Sequence, residues 1–420
     1  MRVCRRVVPL IFVLVMVFAL SGCMMANVEE LYSLPRMSEE YIRLQELIAR
    51  RIDDGGEYAA PLSGSHRQSV QLQDLNGDGV SEAVAFLADE DHTPTVCVYR
   101  LDGEGNYYLF VDILGAGTAV SSVDYADLNG DGATEILIAW QIGGDLQLLS
   151  AYDLSGDIPV EILSADCSAF LVNDLNDDGV EEVLDLHIDY AGTSALVMYV
   201  VGDGNTVTAS RANLSAGITE VLRARMGRLS DDTPALFVES IYGGDRLITD
   251  VFAVDGGLKN ITLAASGVSN TTREMPAYAA DINDDRVMEI PESSGGLLNW
   301  YALDAAGRKT LALTTWHDYE NGWYLVLDDE MLAGLKVEAG EEIAGEASAR
   351  FSKRDGGDLF VIYTLTGENR LDRAAAEGRF ILAEEETTVY AAEILSETVT
   401  GEEILERFNL IYSEWQTGDL

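Results

Sequence analysis

Apolar and polar positions along most of the chain follow the short periods of strands. Residues 69–73 alternate, with Val70 and Leu72 apolar between Ser69, Gln71 and Gln73. Residues 82–87, 95–101 and 107–113 are mostly apolar and rich in Val, Leu, Tyr and Phe. Glycine-rich turns separate them, as in Asp102-Gly103-Glu104-Gly105-Asn106. This pattern predicts strand, loop, strand, turn, strand, turn, strand. Residues 38–52 depart from it. Ile42, Leu44, Leu47 and Ile48 recur at helical spacing behind Ser38, Glu39 and Glu40, and Asp53-Asp54-Gly55-Gly56 stops them. They predict an amphipathic helix lying beside the sheets, with its apolar stripe as an alternative partner-binding face.

One acidic loop returns along the chain. Its copies begin at Asp74, Asp127, Asp174 and Asp281, and a worn copy stands near 228, where Leu229 and the following strand-like run are kept but the first Asp and the glycine are lost. The steps between the four clear starts are 53, 47 and 107 residues, the last about two periods. Calcium takes six to eight oxygen ligands in flexible geometry, and each loop offers such a set. Side-chain ligands are Asp74, Asn76, Asp78 and Glu82 in the first copy, and Asp127, Asn129, Asp131 and Glu135 in the second. The third offers Asp174, Asn176, Asp178 and Glu182, and the fourth Asp281, Asn283, Asp285 and Glu289. The seventh positions, Val80, Ala133, Val180 and Val287, add backbone carbonyls. Gly79, Gly132 and Gly179 suit the sharp turn, whereas the fourth copy has Arg286 there. The twelfth position (Ala85, Ile138, Asp185, Glu292) and the β-forming flanks argue against an EF-hand. A plain acidic turn is the alternative for any single copy, since Asn, Asp and Gly are also turn residues.

Four short strands in each unit of about 50 residues is the pattern of a propeller blade. Over residues 69–316 the chain resembles the FG-GAP/VCBS repeat family, carried by the Asp-x-Asn-x-Asp-Gly-x-x-Glu loops and by Gly115-Ala116-Gly117 in place of that family's Gly-Ala-Pro-like turn. The resemblance implies a mainly β fold, a β-propeller of at least five four-stranded blades with acidic calcium loops. It does not choose a function, because such blades serve adhesins, receptors and enzyme-attached modules alike. Beyond 317 the pattern changes. Strands are expected at 322–327, 349–352, 359–363 and 388–392, and helices at 369–376 and 402–410. A separate C-terminal α+β domain over 317–420 is the expectation, with two worn blades as the competing one.

The first 22 residues read as a signal peptide. Arg2, Arg5 and Arg6 precede an apolar run over 7–20, too short to span a bilayer, and Leu20-Ser21-Gly22-Cys23 follows. That ending resembles the bacterial lipobox, which implies lipid on Cys23, a tether over 23–36 and anchorage outside the cytoplasmic membrane. An ordinary signal with a chance cysteine is the alternative. Residues 37–68 form the helix and lead-in. Cys97 and Cys167 read as buried free thiols. The net charge of −45 argues against nucleic acid, which needs basic footprints.

No catalytic constellation stands out. His66, His92, His187 and His317 lie in no paired-ligand spacing, and His317 at the junction with the tail is the one local candidate. Tyr107, Tyr108, Trp140, Tyr152, Tyr199, Tyr242 and Trp300 are candidates for a sugar-binding rim, or core. The expected function is a membrane-anchored extracellular calcium-binding propeller acting as a ligand-binding or adhesion platform for a surface protein or a glycan. The alternatives are an enzyme acting on an extracellular polysaccharide and a non-catalytic envelope scaffold.

Overall fold

The computed structural model describes residues 39–411, apart from 145, 275, 341–343 and 355. The signal peptide, Cys23, the tether and Ser38 lie outside the described residues.

The fold is mainly β and is built from six antiparallel sheets that follow one another along the chain. The first holds Val70–Gln73, Glu82–Ala88, Pro94–Leu101 and Tyr107–Leu114, with Glu57–Tyr58 also paired to Glu82–Ala88. These match the four strands read from the pattern. The second runs Ala119–Ala126, Glu135–Gly143, Leu146–Asp153 and Val160–Cys167, and the third Ala169–Asn173, Glu182–His187, Ala195–Gly202 and Thr206–Asn213. In the fourth, Ile218–Arg228, Pro234–Tyr242, Arg246–Val254 and Leu258–Asn260 are joined by Arg273–Glu274. The worn copy near 228 is the first turn of this sheet.

The fifth sheet has the order Glu289–Ser294, Leu297–Leu303, Lys309–Asp318, Trp323–Leu327, Phe408–Leu410. The boundary expected at 316/317 therefore falls inside the strand Lys309–Asp318, and the change of sheet comes after Leu327. Residues 402–410 were expected to be one helix. They divide into a helix, Gly401–Arg407, and an edge strand, Phe408–Leu410, that pairs with Trp323–Leu327. The sixth sheet is ordered Leu335–Ala339, Glu346–Lys353, Asp358–Thr366, Thr388–Ile394, Arg379–Glu384.

Successive sheets share apolar cores. Val84, Phe86, Val96 and Val98 of the first pack with Ile136, Ile138 and Trp140 of the second. Leu137 and Leu149 meet Val183 and Val201 of the third, and Leu184 and Leu186 meet Leu236 and Val238 of the fourth. Phe237 and Val251 meet Ile290 and Leu303, and Trp323 and Leu325 meet Phe351 and Phe360 of the sixth. Because a second strand is buried on both faces, Glu82–Ala88 is covered along its whole length and reads as a continuous apolar run.

Four helices are described: α1 (Glu39–Asp53), α2 (Asp329–Leu332), α3 (Arg370–Ala374) and α4 (Gly401–Arg407). Helix α1 covers the outer face of the first sheet. Leu44 and Ile48 are buried on Ala83, Ala85 and Cys97, while Ile42 of the same stripe stays exposed. Arg51 on its last turn pairs with Asp112 at 2.6 Å. Helix α3 covers the sixth sheet, where Ala374 packs with Leu365, Val389 and Ala391. Among the described residues no core joins the first sheet to the sixth. No described helix is long and apolar enough to cross a membrane.

Candidate cation-binding loops

The four acidic loops span 74–82, 127–135, 174–182 and 281–289, and each of the first three joins the first and second strands of its sheet. Loop 4 starts beside a bridge between Ala280 and Glu289 and leads into the fifth sheet. Two apolar and backbone features hold each loop in place. The second residue (Leu75, Leu128, Leu175, Ile282) is buried in the core, as is Leu229 in the worn copy. The sixth residue has positive φ: 83° at Gly79, 88° at Gly132 and at Gly179. Loop 4 closes the same turn with Arg286 at φ 74°, a conformation that only glycine takes without strain.

The acidic side chains fold each loop around themselves. In loop 1, Asp74 accepts from the N–H groups of Gly77 and Gly79 at 2.9 and 2.8 Å, Asn76 Oδ1 from Asp78, and Asp78 Oδ1 from Val80. The same bonds to position 6 are made by Asp127, Asp174 and Asp281. The glutamate at position 9 then reaches back: Oε2 of Glu82, Glu135, Glu182 and Glu289 accepts from the N–H of position 2 at 2.8, 2.8, 2.9 and 3.2 Å. All four glutamates are buried. Burial pushes the carboxyls of Glu135, Glu182 and Glu289 up to about 7, and that of Glu82 in the same direction; the loop aspartates add to the rise.

The second glutamate oxygen separates the loops. In loops 1 and 2 the position-3 amide answers it, Asn76 to Glu82 at 2.9 Å and Asn129 to Glu135 at 3.5 Å, and Asn176 also bonds Glu182. In loop 4, Asn283 turns to Asp285 instead, and Glu289 Oε1 is buried without a hydrogen-bond partner among the described residues. That orphaned oxygen, beside Asp281 and Asp285, suits a hard cation. Each loop supplies three carboxylates, one amide and one peptide carbonyl, all oxygen donors of the kind calcium takes. In loop 3, carboxylate oxygens of Asp174, Asp178 and Glu182 lie within 4.8 Å of one another.

The other candidates are not brought together. Trp140 and Trp300 are buried in separate cores and Tyr107 packs under α1, so the aromatic residues do not form one rim. His317 stacks on Tyr324 at 4.9 Å, with Trp300 and Tyr319 at 5.9 and 5.0 Å. Neither of its ring nitrogens has a hydrogen-bond partner among the described residues, and burial lowers its pKa to about 3. His92 pairs with Glu57 at 2.9 Å on the surface, and His66 lies 3.7 Å from Asp124. Cys97 and Cys167 are free and buried. The pattern gave no sign of a buried cluster in the fourth sheet, where the Glu239 carboxylate binds both Arg223 and Arg273. A cavity of about 490 Å³ floored by Met331, Leu359 and Val399 lies in the C-terminal region. Its Lys353 ammonium is spent on the carbonyls of Glu330, Met331 and Ala333.

Residues 74–138 match the model of the FG-GAP-like repeat family. The chain carries an FG-GAP-like repeat. The FG-GAP-like segment opens on the first aspartate of loop 1, contains loop 2, and ends inside the second strand of the second sheet. None of the curated proteins matches the chain in sequence. Among solved structures, a protein from Lactobacillus plantarum is similar at 14% identity, over 71% of this chain and 84% of its own, with a TM-score of 0.29. A likeness at that score carries no argument about fold or function.

Proposed function

We propose that the protein is a calcium-loaded repeat platform, its sheets the blades of a propeller-like array, held by lipid on Cys23 outside a bacterial membrane, where it binds a surface protein or a glycan. The observation that carries the calcium reading is the buried glutamate at position 9, repeated in all four loops and, among the described residues, left without a partner for Oε1 in loop 4. A cation there offsets the cost of burying the carboxylate and the repulsion among three carboxylates in each loop. The side chains of positions 1, 3, 5 and 9 and the carbonyl of position 7 would hold it. The anchor rests on Leu20-Ser21-Gly22-Cys23, and the binding role on the nature of repeat platforms, which present variable turns on a rigid frame.

The test is thermal unfolding of the purified protein with calcium and with chelator. A ligand at 100 times its dissociation constant adds about 2.7 kcal/mol per independent site. The expected result is a large rise in Tm with calcium, reduced stepwise by Asp74→Ala, Asp127→Ala and Asp174→Ala. An unchanged Tm in calcium refutes the cation reading and leaves the loops as acidic turns. Anchorage is tested separately, by loss of radiolabelled lipid and of membrane association in Cys23→Ala.

A further inference from the structure

The loops touch one another, and the contacts fall on residues that flank or supply the ligands. Thr134, the eighth residue of loop 2, donates its N–H to the Leu75 carbonyl of loop 1 at 3.3 Å. At Gly77, position 4 of loop 1, a Cβ atom would lie 2.5 Å from the carbonyl oxygen of Gly132 in loop 2. At Gly130, position 4 of loop 2, it would lie 3.1 Å from Val180 Cγ2 in loop 3. Position 4 therefore faces the next loop.

The residue found there changes when the neighbour does. The backbone at position 4 is left-handed in all four loops, with φ 72° at Gly77 and Gly130, 62° at Asp177 and 58° at Asp284. Aspartate thus accommodates this conformation in loops 3 and 4. Loops 1 and 2 have glycine because an acidic loop is packed against them. After loop 3 comes the worn copy, and Asp177 there lies 3.6 Å from the guanidinium of Arg228. After loop 4 comes the sixth sheet, which has no acidic loop.

We infer that loops 1, 2 and 3 bind their cations cooperatively, while loop 4 binds on its own. The inference rests on the calcium reading above. A cation in loop 2 fixes the Ala133 carbonyl, and with it Gly132 and Thr134, the two residues that abut loop 1. A cation in loop 3 fixes Val180, the residue that abuts Gly130. Each filled loop thereby presents its neighbour with ordered backbone, and the effect is reciprocal by linkage.

The experiment is calcium binding to the purified full-length protein, followed by equilibrium dialysis for stoichiometry and by calorimetry for the shape of the curve. The wild type is expected to show a steep phase from loops 1–3 and a separate site from loop 4. Asp127→Ala is expected to remove loop 2 and to weaken calcium at loops 1 and 3 about fivefold or more. Gly77→Asn keeps a left-handed residue and every ligand but intrudes on Gly132, and Val180→Ala removes the contact with Gly130 without backbone strain. Both are expected to keep the stoichiometry and flatten the steep phase. Asp284→Asn, at the same position in loop 4, is expected to leave the curve unchanged. Bound calcium with independent sites, or a steep phase that survives both Gly77→Asn and Val180→Ala, overturns the coupling alone. No bound calcium overturns the cation reading with it.

Discussion

His317 shows how a single residue acquires a property from its surroundings. Its ring is enclosed by Trp300, Tyr319 and Tyr324. Burial holds its pKa at about 3, below the ordinary histidine value, so the folded protein keeps it neutral. Between pH 6.5 and 3 the unfolded chain binds a proton there that the folded chain does not. Its contribution to stability is therefore whole above pH 6.5 and is lost as the pH falls toward 3. Urea unfolding across that range should show the wild type losing up to about 1.4 kcal/mol per pH unit more than His317→Phe, which keeps the stacking and cannot titrate. The recurrence of glutamate at position 9 was legible, because the letters of the loop repeat. The orphaned Oε1 of Glu289 was not, because it depends on which way Asn283 turns and on the depth to which two sheets bury the carboxylate.

Among the elements, the fourth sheet lacks the acidic loop and holds a charged cluster instead. Arg223, on the first strand, and Arg273, on the short added strand, share Glu239 on the second, and Arg273 also bonds Thr249, Thr271 and the Ala277 carbonyl. All three side chains are buried. Glu239→Gln strands two guanidinium groups and should cost about 3–5 kcal/mol in chemical denaturation. Replacing all three with apolar residues of similar volume should cost far less. Helix α1 gives a second test. Leu44→Ala removes its buried anchor and should cost about 2–5 kcal/mol by the same measurement. The strands of the first sheet could be read from the sequence because alternation and glycine turns are local signals. The edge strand Phe408–Leu410 could not. It pairs with Trp323–Leu327 across more than 80 residues, and its three residues continue the pattern of the helix before them. The Arg–Glu–Arg cluster was hidden for a similar reason, since charges in strands ordinarily point to solvent.

At the scale of the whole molecule, six sheets pack in chain order, and each interior sheet has a neighbour on both faces. Among the described residues no core joins the two end sheets to a second neighbour; α1 covers the first and α3 the sixth. An uncovered end sheet presents an apolar face to any other copy of the protein. Loosening α1 with Ile48→Asp should therefore produce concentration-dependent self-association, read as a rising mass by light scattering, and the wild type should stay at one mass. Because the stoppers are attached to the ends alone, the number of interior units is free to vary. Unequal recombination could add or drop a sheet and its loop in the middle without disturbing either terminus. The fourth sheet, which packs on both neighbours without an acidic loop, shows that a unit holds its place in the stack through its cores alone.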